Sequence, residues 1–153
     1  MTKQAHPQTF CIDDLLNELH LYVKEKLQNA GNPDVDVDIY RYKKDHICRI
    51  LADRESLRQA LVHLLDNAVK FTDYGFIVFG YHVLKPDLVD FFVTDNGLGE
   101  YNDTPPDLSP VCELLQTMGS RLKKDVTGTG SSFSFSIKSE RVEVTKLANA
   151  CQP

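Results

Sequence analysis

Three stretches with a helical period, each followed by two short β-rich runs, order this chain from end to end. In the first stretch Ile12, Leu15, Leu16, Leu19, Val23 and Leu27 recur at helical spacing, with Asp13 as the expected N-cap and Gly31 as the stop. Val35, Val37 and Ile39 then alternate with aspartates, the period of a half-buried strand, and Ile47 to Ala52 reads as its partner. Asp53 is placed to cap a second helix with the stripe Leu57, Ala60, Leu61, Leu64, Leu65 and Ala68. Phe76 to Val83 and Leu88 to Thr94 form a hairpin around Lys85-Pro86-Asp87. A third helix opens at Ser109-Pro110, where proline is tolerated and its φ is pre-set, and runs to about Met118. A closing hairpin spans Leu122 to Ile137, with Phe133, Phe135 and Ile137 alternating with serines. This order predicts an α/β fold of the α+β kind: a two-layer sandwich with a mixed, mostly antiparallel sheet and three helices on one face. Residues 1–9 read as a lead-in, 10–140 as the domain and 141–153 as a C-terminal tail.

A chain of 153 residues fits one core, and 42% apolar with 25% charged residues is the composition of a globular domain. The net charge is −5 and no basic run occurs, so no nucleic-acid partner is expected. No apolar stretch approaches the roughly 20 residues that cross a bilayer, so no membrane contact by this domain is expected. The N-terminus has no apolar core of a signal peptide. Cys11, Cys48, Cys112 and Cys151 are widely spread and read as free thiols of a reducing compartment, which places the chain in the cytoplasm.

Three segments carry chemistry. His63, Asn67 and Lys70 stand four and three residues apart, so on a helix they share one polar stripe. An imidazole, an amide oxygen and an ammonium so placed can meet phosphate oxygens and a hard cation such as Mg²⁺. An ordinary solvated helix face has the same spacing. Asp95-Asn96-Gly97-Leu98-Gly99 follows a β-run directly. Its glycines let a ligand approach the backbone, and its carboxylate can accept from an exocyclic amine; a plain turn reads the same way. Gly128-Thr129-Gly130-Ser131-Ser132-Phe133-Ser134-Phe135 is a glycine turn entering an amphipathic strand. Neither a dinucleotide fingerprint nor a P-loop is present.

Together and in this order, the three segments resemble the ATP-binding fold shared by histidine kinases, gyrase-type ATPases and Hsp90. Residues His63 to Thr72 resemble the N box, Asp95 to Gly99 the D-x-G-x-G box, and Gly128 to Phe135 the closing hairpin. The flanks Ile50 to Asp53, Leu57 to Leu61 and Glu113 to Gly119 resemble those of sensor histidine kinases, and the likeness covers roughly residues 10–138. It implies ATP and Mg²⁺ as ligands. Asn67 would hold the metal and, with His63, carry the catalytic role. Lys70, Asp95, Gly97, Gly99 and Ser132 would line the nucleotide, with Ser132 near the adenine-reading Asp95. In gyrase-type relatives a glutamate stands where His63 is, so His63 fits a phosphotransferase better than a hydrolase, although histidine can also serve as a base.

Two features depart from the family. Only Glu100 to Asp107 joins the D-x-G-x-G box to the last helix, where the family carries a longer ATP lid and a second glycine box. Pro110 removes an amide donor there, and Asp103 and Asp107 would repel phosphate. No helix with a phosphoacceptor histidine is recognisable; the chain is expected to be an excised domain or a subunit acting in trans. Two functions follow. One is the ATP-binding catalytic domain of a two-component sensor kinase, whose partners are the histidine-bearing dimerisation helices and a response regulator. The other is a degenerate, lidless domain with weak or no ATP binding, acting as a docking or regulatory module.

Overall fold

The structure is a computed structural model, and it describes residues 6–96, 107–127 and 130–147. The elements run β1 (Gln8–Cys11), α1 (Ile12–Asn29), β2 (Asp36–Tyr40), β3 (His46–Ala52), α2 (Arg54–Phe71), β4 (Phe76–Lys85), β5 (Leu88–Asp95), α3 (Ser109–Thr117), β6 (Lys123–Thr127), β7 (Gly130–Lys138) and β8 (Val142–Lys146). The three helices fall where their periods placed them, and the α+β, mostly antiparallel character is borne out. Among the described residues no helix is long and apolar enough to cross a membrane.

Five strands form the larger sheet in the order β2-β4-β5-β7-β6, and three form a smaller one in the order β1-β3-β8. Two pairings depart from the sequence reading. β2 and β3 are not partners: β2 runs parallel to β4, while β3 lies between β1 and β8. Both flanking strands, β1 and β8, arise in segments with little periodic signal. Short edge strands need few apolar residues of their own once a central strand offers its hydrogen bonds.

The inward faces of the larger sheet follow strict alternation. Ile77, Phe79 and Tyr81 of β4 register with Asp95, Val93 and Phe91 of β5, which register in turn with Ser131, Phe133 and Phe135 of β7. Phe79, Phe91 and Phe135 are fully buried, and the Phe91 and Phe135 rings stack at 5.5 Å between centroids. Against this face the helices bury their stripes, among them Leu15, Leu16 and Leu19 of α1 and Leu57, Leu61, Leu64 and Leu65 of α2. Each such leucine contributes roughly 1.5–3 kcal/mol on burial.

Caps divide the two long helices. Asp53 caps α2 as expected: its Oδ1 accepts the Ser56 amide at 3.1 Å, and its Oδ2 accepts the Ser56 hydroxyl at 2.9 Å. Asp13 does not cap α1. The N-cap residue is Cys11, and Asp13 lies within the first turn with its side chain turned into the core. The reason is a better set of partners inside, the Cys48 amide and the Tyr81 hydroxyl.

Candidate functional site

The start of β4, the end of β5 and the start of β7 meet at one rim of the five-stranded sheet. There Asp95, the last residue of β5, faces the helix layer and is 5% exposed. It stands opposite Ile77 and Ser131, and the Ser131 hydroxyl donates to its Oδ2 at 3.0 Å. Behind it, Gly130 brings the start of β7 close: a Cβ there would collide with the Asp95 carbonyl oxygen, and its φ of +154° suits glycine. The next residue, Asn96, braces the other side. Its Oδ1 accepts the Phe76 amide at 2.6 Å, over Gly75, where a Cβ would strike the Asn96 side chain. Both neighbouring strands thus hold the end of β5, and Ser131 holds the carboxylate.

Ser132, expected beside Asp95, is not its partner. Alternation turns Ser132 to the opposite face, where its hydroxyl pairs with that of Thr94 at 2.8 Å. Ser131 takes the position instead. The signal was present in the sequence: Phe133, Phe135 and Ile137 point inward, so Ser131 has their parity and Ser132 does not.

The second component is α2. His63 and Lys70 are exposed and Asn67 is half-buried. Over one uninterrupted helix their spacing brings them to one stripe, beside the buried face of Leu64, Leu65 and Ala68. The Lys70 ammonium lies 5.2 Å from the centre of the Phe71 ring. Tyr22 of α1 fixes this helix from the side, donating to Asp66 at 2.8 Å. Burial, then the hydrogen bond to Asp66, raises the Tyr22 hydroxyl to about 12. Among the described residues no cluster of three histidine, cysteine or acidic side chains could hold a metal ion. Asn67 offers a single amide oxygen, a donor that would suit Mg²⁺, an ion that keeps several waters and is bound through few protein groups plus substrate phosphates.

Gly97, Gly99, Glu100 and Asp103, and with them the short lid segment, lie outside the described residues, as do Gly128 and Thr129. At the start of α3 the carboxylate of Asp107 accepts the Ser109 amide at 3.0 Å. That hydrogen bond holds the Asp107 carboxyl below its ordinary value. Pro110 follows with no donor, so at the start of α3 the Ser109 amide is occupied and the next one is missing. Two open surface clefts lie elsewhere, of about 550 Å³ at the end of α3 around Cys112 and Arg121, and about 470 Å³ between α1 and β2 around His20 and Asp38. Neither includes Asp95 or Asn67.

No protein-family model matches this chain. It is similar to the adaptive-response sensory kinase SasA of Synechocystis, 34% identical over 97 residues, which are 63% of this chain and 24% of that protein. It is also similar to the aerobic respiration control sensor protein ArcB of Escherichia coli, 33% identical over 89 residues, 58% of this chain and 11% of that protein. The chain therefore spans a quarter or less of the curated relatives it matches. Among solved structures, full-length ShkA in complex with AMPPNP superimposes with a TM-score of 0.77 at 21% identity, covering 92% of this chain and 33% of that one. The catalytic domain of the histidine kinase ThkA, in a nucleotide-free form, superimposes with a TM-score of 0.71 at 21% identity, covering 88% of this chain and 97% of that one. ThkA in complex with the response regulator TrrA gives 0.72 at 20% identity, covering 88% of this chain and 42% of that one. The protein thus has the fold of the histidine kinase catalytic domain and resembles sensor histidine kinases in sequence.

Proposed function

We propose that this chain binds an adenine nucleotide with Mg²⁺ as the ATP-binding catalytic domain of a two-component sensor kinase. The observation that carries the reading is the buried Asp95 carboxylate, bonded to Ser131 at a strand end that Gly130 and Asn96 tie to the neighbouring strands. A fixed, largely desolvated acceptor is what reads an exocyclic amine with strength and direction. In this reading Asp95 takes the adenine amine, with Gly97 and Gly99 close to the base. Asn67 supplies the protein oxygen to Mg²⁺, whose charge neutralises phosphate oxygens when it is bound. Lys70 and His63, on the same stripe, face the phosphate end. The acceptor of the γ-phosphoryl group is a histidine on separate dimerisation helices, and a response regulator follows. The complex of ThkA with its response regulator supports that order of partners. Phosphoryl transfer asks mainly for positioning and charge neutralisation, and these residues can provide both.

A second reading is favoured by one observation. The Asp107 carboxylate already takes the Ser109 amide and Pro110 offers no donor, so α3 has little to give a phosphate. A domain so built could keep the fold as a docking module. Titration of the chain with ADP and ATP, each with Mg²⁺ and with chelator, separates the two. The expected result is modest and similar affinity for ADP and ATP, improved by Mg²⁺, because the γ-phosphate gains few contacts. Absence of binding at millimolar nucleotide transfers the assignment to the docking module.

A further inference from the structure

The larger sheet ends on β2, which has a single neighbour in it, β4. The Asp36 amide donates on the β4 side, to the Gly75 carbonyl at 2.9 Å. Backbone direction alternates along a strand, so Val37 and Ile39 turn their amides and carbonyls to the other edge. One of these groups is engaged there: His20 Nε2 donates to the Val37 carbonyl at 3.0 Å. The Val37 amide and both backbone groups of Ile39 point away from β4, and an edge of that kind receives an added strand.

Beside this edge runs the cleft of about 470 Å³ between α1 and β2, lined by Asn17, His20, Leu21, Asp38, Ile39 and Arg41. Leu21 stands on its helix wall 71% exposed, and Ile39 on its strand wall is half-buried. An exposed leucine does nothing to protect a bare strand edge; it offers a seat to an apolar side chain arriving from outside. The other face of the edge is acidic. Asp36 and Asp38 alternate with Val37 and Ile39, both are exposed, and neither pairs with a cation among the described residues. Arg41 in the cleft is already engaged by Asp13 and Asn17.

We propose that the β2 edge and the cleft beside it dock an extended segment of a partner protein in which cationic residues alternate with apolar ones. Such a segment adds antiparallel to β2, the more stable pairing. Its residues opposite Asp36 and Asp38 fall on the acidic face, where Lys or Arg gains a cross-strand carboxylate. Its residues opposite Val37 and Ile39 fall on the other face, where an aliphatic side chain enters the cleft against Leu21 and Ile39. Aspartates on an edge keep two such edges apart. A cationic strand meets no such repulsion, so the charges that prevent self-pairing also select the partner. Neither Asp95 nor Asn67 lines this cleft, and the docking surface is independent of the nucleotide reading.

The test is fluorescence polarisation of the whole chain with labelled heptapeptides, one of alternating lysine and valine and one of alternating glutamate and valine. The lysine peptide is expected to bind about tenfold tighter or more. In an antiparallel ladder the residues opposite Val37 and Ile39 exchange both backbone bonds with them, so the valine amides of the peptide face β2 and the lysine amides face away. N-methylation of the valine amides is therefore expected to abolish binding, and N-methylation of the lysine amides to spare it. Asp36→Lys together with Asp38→Lys is expected to weaken the lysine peptide about tenfold. Glu113→Lys together with Glu140→Lys changes the net charge equally at exposed positions outside the cleft, and is expected to leave affinity unchanged. Leu21→Ser, at a position 71% exposed, is expected to weaken binding about fivefold without lowering the melting temperature. Equal affinity for the two peptides, equal effects of the two N-methylations, or equal losses from the two charge pairs overturns the proposal. So does a wild type that does not bind the lysine peptide; the N-methylated peptides need no variant, so a change of fold cannot imitate their result.

Discussion

The Asp13 carboxylate, in the first turn of α1, accepts the Cys48 amide at 2.8 Å and the Tyr81 hydroxyl at 3.1 Å, and lies 3.6 Å from Arg41. It joins α1 to both sheets, since Cys48 is on β3 and Tyr81 on β4. Asp13→Ala leaves a buried amide and a buried hydroxyl without their acceptor. The expected loss is about 3 kcal/mol, read from the urea midpoint at unchanged slope; a loss under about 1 kcal/mol contradicts the account. The serine pair at β7 gives a second residue-scale prediction. Ser131→Ala releases Asp95 and is expected to weaken ADP binding by about 1 kcal/mol, whereas Ser132→Ala loses only its Thr94 partner on the far face and leaves affinity unchanged. The reverse ranking in calorimetry would return the role to Ser132. Asp95 itself was legible because a carboxylate closing a β-run before glycines is a local pattern. The choice between adjacent serines was legible only by counting strand parity. Asn96 was not, because its role depends on the start of β4 that approaches it.

At the scale of elements, α2 holds the Asn67 stripe, and its cap is its most local support. Asp53→Ala removes both bonds to Ser56 and is expected to cost roughly 1–2 kcal/mol, measured by denaturant unfolding. An unchanged midpoint would mean that packing of the leucine stripe alone sets the start of the helix. β8 supports the smaller sheet. It pairs with β3 from Val142 to Lys146, next to a corner where the Ser139 hydroxyl accepts the Leu51 amide at 3.1 Å. A chain ending at Glu140 is expected to fold but to lose about 2 kcal/mol or more with that ladder. Full retention of the unfolding midpoint would place the domain limit at 140, as the sequence reading set it. β8 was illegible because Val142 and Val144 alternate too briefly to stand out, and only β3 beside them makes a strand of that stretch.

For the molecule as a whole, acidic protons held by the fold set the alkaline limit. Burial, then the charge of Asp13, pushes the Cys48 thiol up to about 12. Burial raises the Tyr22 hydroxyl to about 12 and the Tyr81 hydroxyl further. Each proton is held more tightly in the fold than in the unfolded chain. Its stabilising contribution is therefore complete below the ordinary values of 9.0 for the thiol and 10.0 for the tyrosines, and it drains as pH rises from there through about 12. Urea midpoints measured across that range are expected to fall steadily, with tyrosinate absorbance from Tyr22 and Tyr81 appearing only as the fold is lost. Full tyrosine ionisation in a still-folded protein would refute this. The same burial predicts that thiol reagents reach the exposed Cys112 before Cys48, which reacts only on unfolding.

The sequence by itself determined the three helices, the hairpin strands, the α2 cap and the order of the three boxes. All of these are written in the spacing of neighbouring residues, where a period of 3.6 or of 2 chooses the local backbone. Only the tertiary structure decided that β2 joins β4 in parallel, that β3 sits between β1 and β8 and that Asp13 turns inward. Every strand offers the same backbone donors and acceptors, so which strands pair is settled by the burial of whole faces, a sum over distant residues that no local pattern records.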